Sequence, residues 1–323
     1  MMIRRTLLAA SVCAIALSAA HAQPFPNRPI KVVVPFPAGG PTDGMARIIS
    51  DRLGHVLGQT IVIENRGGGA GGSVGAKFVA TSDPDGYTIL MTPGGSLTTG
   101  PAVFKNIGYD AFKDFTPITT LIETPQYIVV YPPFPAKSLA DVAAYAKANP
   151  GKLSWGSQGF GTGTHLLSEL FKLETGTNFV HVPYRGTAPM LAALLAGEIQ
   201  IATDPSTTVL PQIQAGGVRP IATAMTKRTA KLPDVPTTAE QGFPKLVAPF
   251  WLGVAAPGGT PPDVINKLNA GFREALNDDA TKARLDQLGA EVKPSTPQEF
   301  GKLLAEEYAL WSGVVKAANI QPQ

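Results

Sequence analysis

The residues best equipped for chemistry are short, polar and clustered. Ala38, Gly39, Gly40, Thr42 and Asp43 follow one apolar run, and Ser157, Gln158, Gly159, Gly161, Thr162, Gly163 and Thr164 follow another. Glycines leave backbone N–H groups uncovered and hydroxyls and amides add donors, so each cluster suits an anion. Each also stands just ahead of a helical pattern, whose positive dipole end favours carboxylate or phosphate without a lysine. Blander readings remain open. Gly39 and Gly40 can simply turn the chain, Thr42 or Asp43 can cap its own helix, and residues 157–164 can form a surface loop. His165, in the first turn of the second helix, is a ligand contact or a structural neighbour.

Further candidates fall at neighbouring strand ends. Phe36 precedes the first cluster, and the loop Thr92-Pro93-Gly94-Gly95-Ser96 brings Gly94 and Ser96 beside it. The equivalent position in the second half is Asp204-Pro205-Ser206-Thr207, where Asp204 either recognises an amine or hydroxyl or makes an Asx turn. Tyr184 and Arg185 also end a strand; Arg185 is placed to pair with a second carboxylate, to form a salt bridge or simply to stand exposed at the surface.

The glycine run Gly67 to Gly75 holds two formal motifs. Gly67, Gly69 and Gly72 fit a dinucleotide fingerprint, but they follow the second strand, and Met91-Thr92 stands where the acidic ribose ligand belongs. Gly71, Ser73 and Gly75 fit a hydrolase elbow, with His165 and His181 downstream, but a run this glycine-rich does not make the single strained turn that a nucleophile needs. A secreted serine hydrolase using Ser73 is therefore the secondary reading. After the leader described below, the histidines are His55, His165 and His181, and none shares metal-ligand spacing with another. No metal or cofactor is expected. Trp155, Trp251 and Trp311 read as core or hinge packing.

These clusters sit on a repeated frame. Strand, helix, strand, helix, strand patterns cover 30–36, 43–57, 60–65, 72–81 and 87–91, and again 152–156, 163–175, 178–184, 187–196 and 198–203. Asn65-Arg66-Gly67 and Tyr184-Arg185-Gly186 match in kind. Two βαβαβ units predict an α/β chain of two lobes, each a parallel-rich sheet flanked by helices, with ligands beyond the carboxyl ends of the strands. Residues 23–123 and 246–323 form the expected discontinuous first lobe and 124–245 the second, with hinge crossings near 117–131 and 243–256. Helical patterns at 261–277, 279–288 and 297–318 are expected on lobe one.

The chain has 323 residues and opens with Arg4, Arg5, an apolar run from Leu7 to Ala20 and Ala20-His21-Ala22, the pattern of a cleavable secretory signal over 1–22 with cleavage after Ala22. The apolar run is shorter than the roughly 18 residues a membrane span needs. Cys13, the single cysteine, lies inside this leader. Without Arg4 and Arg5, the 27 basic residues become 25 against 24 acidic ones, which gives no support to nucleic-acid or basic membrane-surface binding. An exported, monomeric protein is expected.

The string Val32-Val-Val-Pro-Phe-Pro-Ala-Gly-Gly-Pro-Thr-Asp43 is followed by Ala46-Arg47, Glu64-Asn65-Arg66, Asp83-Pro84-Asp85-Gly86-Tyr87 and Val182-Pro183-Tyr184-Arg185-Gly186. In combination these resemble the Bug-type solute-binding receptors of tripartite tricarboxylate transporters, across essentially the whole mature chain. The resemblance implies a type II periplasmic-binding-protein fold that closes on a small organic carboxylate and presents it to membrane transporter subunits. It also implies that the two glycine-rich loops hold a ligand carboxylate, partly through water. Family ligands include di- and tricarboxylates, acidic amino acids and aromatic carboxylates, and the sequence does not select among them. A receptor feeding a sensor kinase fits the same residues.

Overall fold

The computed structural model describes residues 25–321, so the expected signal segment lies outside the described residues. In chain order, β1 (Ile30–Val34), α1 (Pro41–Leu57), β2 (Ile61–Asn65), α2 (Ser73–Ala80) and β3 (Thr88–Thr92) form the first unit. A π-helical turn, Gly95–Thr99, then runs into the short α3 (Gly100–Val103). Next come β4 (Phe115–Thr124), β5 (Gln126–Val130) and α4 (Leu139–Ala148). The second unit is β6 (Ser154–Ser157), α5 (Gly163–Thr175), β7 (Val180–Pro183), α6 (Thr187–Leu195) and β8 (Ile201–Pro205). The chain finishes with α7 (Ser206–Gln214), β9 (Arg219–Thr223), β10 (Phe250–Pro257), α8 (Pro262–Asn277), α9 (Asp279–Gln287), β11 (Glu291–Val292) and α10 (Pro297–Ala317).

These strands make two sheets, ordered β11-β4-β10-β3-β1-β2 and β7-β6-β8-β5-β9. The first strand of each unit lies between its second and third, so both units share one order. Within each unit the pairing is parallel: Ile30 faces Ile61, Lys31 faces Thr88, and Ser154 faces Val180. β10 in the first sheet and β5 in the second run antiparallel to the strands on both sides of them, for a topological reason. The carboxyl ends of both parallel sets face the space between the sheets. β4 therefore leaves sheet one toward that space and passes through Pro125 into β5, which must run down sheet two against β8. β10 returns into sheet one from the same space and runs against β3. Each lobe is thus a mixed sheet, with a parallel core and antiparallel crossing strands.

Alternation within strands buries both faces of each sheet. Val32 and Val34 pack with Met45, Ile49, Leu53, Leu268 and Phe272 of α1 and α8, while Val33 packs with Ala76, Val79, Phe300 and Leu304 of α2 and α10. In sheet two, Ile128 and Val130 meet Leu166, Leu170 and Phe171 of α5, and Tyr127 and Val129 meet Met190, Leu194 and Val209 of α6 and α7.

The last helix departs from its expected place on lobe one. α10 is opened by a Thr296–Glu299 capping box and has 21 residues, about 31 Å of helix. Phe300 and Leu304 sit in the core of the first sheet, but Trp311, Val314 and Val315 are buried in that of the second. The apolar stripe outlasts the first lobe, so the helix ties the two together. Val103 at the end of α3 also joins the second lobe's core.

Candidate ligand-binding cleft

A cavity of about 1100 Å³ lies between the sheets, where the carboxyl ends of the parallel strands converge. Phe36, Ala38, Gly39, Gly40 and Thr42 line it from the β1–α1 connection, and Gly94 lines it from the loop after β3. Gln158, Thr162, Gly163 and Thr164 face them from the β6–α5 connection, with Tyr184 and Arg185 from the end of β7. The unit order places the cavity beside the switch between β1 and β3 in one lobe and between β6 and β8 in the other, where connections leave in opposite directions and open a crevice.

Two helix N-termini meet this space. α1 starts from Gly40, whose extended φ of −78° carries no side-chain cap, followed by Pro41 in the first turn. α5 starts from Thr162, whose hydroxyl accepts from the His165 N–H. Helix ends of this kind attract anions through exposed N–H groups.

The remaining sequence candidates stand a layer behind the lining and hold it in shape. Asp43 is buried and caps neither itself nor α1. Its Oδ2 accepts from Gly39 N at 2.9 Å and from Arg47 Nε at 3.0 Å. Arg47 reaches Asn65 Oδ1 at 3.3 Å, and Asn65 Nδ2 donates to the Phe36 carbonyl at 3.2 Å. The loop 36–39 is therefore pinned from two sides. Burial raises the Asp43 carboxyl, but the hydrogen bonds from Arg47 and Gly39 outweigh it and leave the group below the usual carboxylate range.

Ser96 is fully buried in the π-helical turn, which replaces the open loop expected there. It accepts from Thr92 Oγ1 at 2.9 Å and donates to the Gly71 carbonyl at 2.8 Å. Gly71 has φ +58°, and a Cβ there would lie 2.3 Å from the Gly95 carbonyl, so only glycine permits this contact between loops.

Ser157 is also fully buried, with its Oγ 2.7 Å from His181 Nε2 and donating to the Gly159 carbonyl at 3.1 Å. His165 is buried behind the same loop, where its Nδ1 accepts from Gly161 N at 3.1 Å. That bond assigns its proton to Nε2. Its ring stacks on His181 with centroids 4.0 Å apart. Burial, then repulsion from His181 and the charge of Lys172, push His165 down to about 3, and burial with the Lys172 charge pushes His181 to about 4, so both are neutral.

Asp204 is buried at the end of β8 and gathers the second cradle. Its Oδ1 accepts from Gln158 Nε2 at 2.8 Å and Thr187 Oγ1 at 3.0 Å, and its Oδ2 accepts from Thr208 Oγ1. Burial pushes its carboxyl up to about 6, against the lowering effect of these bonds.

Other cleft residues were not singled out from the sequence as ligand candidates. Gly68, Gly69, Gly71 and Gly72 line it, as do Thr187, Thr208, Phe250, Trp251, Glu307 and Trp311. Glu307 left a readable trace: it is an acid set between Leu304 and Trp311 on the apolar stripe of α10.

Two groupings among the described residues bear on the enzyme and metal readings. Ser73 hydrogen-bonds no histidine among the described residues, and Ser157, which does, is sealed from the cleft. His165, Glu169 and His181 bring ligand-type atoms within 4.8 Å of one another, a grouping invisible in their spacing. Each already has a partner: His165 Nδ1 accepts from Gly161 N, His181 Nε2 lies 2.7 Å from Ser157 Oγ, and Lys172 Nζ holds Glu169 at 2.8 Å.

The model of the tripartite tricarboxylate transporter family receptors matches residues 45–320. The chain belongs to this family. Solved structures agree across nearly the whole chain. The periplasmic binding protein BugD is 36% identical, with a TM-score of 0.83 over 93% of this chain and 100% of that one. A Rhodopseudomonas palustris protein solved with adipate is 37% identical, with a TM-score of 0.85 over 93% and 100%. MatC of Rhodopseudomonas palustris, with bound malate, is 36% identical, with a TM-score of 0.82 over 90% and 100%. As a member of the receptor family, the chain is a two-lobed α/β solute-binding protein.

Proposed function

We propose that this protein is an exported receptor that captures a small organic carboxylate between its lobes and delivers it to membrane transporter subunits. The observation that carries this reading is the pair of glycine-bordered helix N-termini, at Gly40 and Thr162–Gly163, opening on one cavity. Uncovered N–H groups and aligned dipoles supply the positive potential, so a carboxylate needs no lysine there. Arg185, in the loop beside the second cradle, makes no ion pair among the described residues and is the partner for a second carboxylate. The adipate and malate found in the two Rhodopseudomonas proteins are dicarboxylates of a size this cavity accepts. Residues 1–22 serve as the export signal and direct the chain to the periplasm.

A thermal-shift panel of adipate, malate, citrate, benzoate and glutamate tests the reading. A ligand at 100 times its Kd adds about 2.7 kcal/mol of stability. A selective rise in Tm is expected with at least one carboxylate, and the absence of a rise with all of them contradicts the reading.

A further inference from the structure

Glu307 presents the cleft with a carboxylate where an anion is to bind. Its Oε1 accepts from Trp251 Nε1 at 2.7 Å, and its Oε2 accepts from Thr98 Oγ1 at 2.9 Å. No lysine, arginine or histidine pairs with it among the described residues. The Thr98 hydroxyl is claimed twice, because the Gly94 carbonyl also lies 2.9 Å from Oγ1. One hydroxyl has one proton, so the carboxylate form of Glu307 and the Gly94 carbonyl cannot both receive it. A proton on Glu307 removes the conflict: Glu307 donates to Thr98, Thr98 donates to Gly94, and Trp251 still donates to the other oxygen.

We propose that capture of a carboxylate in this cleft is accompanied by uptake of one proton from solvent onto Glu307, which completes the Glu307–Thr98–Gly94 hydrogen-bond chain. This inference rests on the carboxylate-receptor reading above. A ligand anion adds negative charge to a cavity that already holds Glu307, and protonation is the local remedy for the repulsion. Burial lifts the Glu307 carboxyl to about 7, so the proton is available near neutrality. Among surrounding charged groups, Glu123 on β4 adds to this rise and is itself held by Lys293 at 2.6 Å. Tyr184 and Arg185 are the other ionisable residues lining the cavity, both from the far lobe. Because Gly94 lines the cleft and α10 packs in both lobes, the proton is placed where it secures the wall of the cleft beside the helix that joins them.

The test has two readouts. Trp155, Trp251 and Trp311 give three indole N–H signals, and the Trp251 signal reports on Glu307 directly. In ¹⁵N-labelled unliganded protein this signal is expected to titrate near pH 7 in the wild type and to stay flat in Glu307→Gln. A flat wild-type signal between pH 5 and 9 overturns the proposal. Calorimetry then uses whichever of adipate, malate, citrate, benzoate and glutamate gives the largest thermal shift, in buffers of different ionisation enthalpy. Uptake of up to one proton is expected, with affinity falling by up to about tenfold per pH unit above the free-state midpoint. Glu307→Gln, whose amide donates to Thr98 as the protonated acid does, should bind with a flat pH profile and no proton uptake. Binding without proton uptake in the wild type, or an unchanged pH slope in Glu307→Gln, overturns the coupling while leaving the receptor reading intact. No thermal shift with any of the five overturns the receptor reading, and the coupling falls with it.

Discussion

Asp204→Asn isolates the buried carboxyl that gathers the second cradle. In the folded chain burial moves this group from 3.8 to about 6, so as pH rises the unfolded chain releases the proton first. The fold therefore loses stability from about pH 4 to about pH 6 and then levels off. A shift of about two pH units is worth about 3 kcal/mol at about 1.4 kcal/mol per unit. Asparagine can keep the contacts. Its Oδ1 accepts from Gln158 and Thr187, and its Nδ2 donates to the Thr208 hydroxyl, which remains free to donate to the Pro205 carbonyl at 3.0 Å. The expected result is a variant equal to the wild type near pH 4 and more stable by up to about 3 kcal/mol at pH 8, a Tm gain of about 5–10 °C. Thermal unfolding followed by circular dichroism from pH 4 to 8 measures this. The Glu307 carboxyl gives its own decline toward pH 7, but that decline is common to both proteins and drops out of the difference. Parallel wild-type and variant curves over the whole range would refute the claim that Asp204 is a buried, partly neutral anchor.

Gly40→Val and Gly163→Val test the site itself. A Cβ at Gly163 meets nothing within 4 Å and one at Gly40 meets only the Pro37 carbonyl at 3.4 Å, so Tm should change little while carboxylate affinity falls at least tenfold by calorimetry. Gly161→Ala adds a Cβ 2.6 Å from Phe104 Cε2 at a φ of +76°, where the two lobes touch. It should destabilise the fold by about 1–2 kcal/mol in urea and increase the radius of gyration in solution scattering. Trp311→Ala removes a buried side chain from the part of α10 that packs on lobe two. A loss of about 3–5 kcal/mol in urea unfolding is expected.

The repeated βαβαβ units were legible because period and punctuation agree locally; the helix expected at 163–175 is observed as Gly163–Thr175. Less legible was everything decided by distant partners. β5 and β10 take their antiparallel places from where the chain crosses between sheets, and no local pattern records that. The π-helical turn at Gly95–Thr99 is held by Ser96 on Gly71 and by the Tyr109 hydroxyl on the Ser96 carbonyl, contacts from outside the segment. The same limit separates lining from support in the candidate site. Ser157, His165 and Asp204 follow the polar logic of strand ends, yet burial turns them inward, and only three-dimensional packing shows that Gln158 faces the cavity while its neighbour Ser157 does not. Glu307 lay far from both glycine clusters in sequence, and α10 brings it to them by spanning the two lobes.

The most direct test of the account is calorimetric titration of the wild type, Gly40→Val and Gly163→Val with the carboxylate that gives the largest thermal shift. The account predicts a single site in the wild type and loss of binding in both variants at unchanged Tm. Wild-type affinity in the two variants, or no carboxylate binding by the wild type, would contradict it.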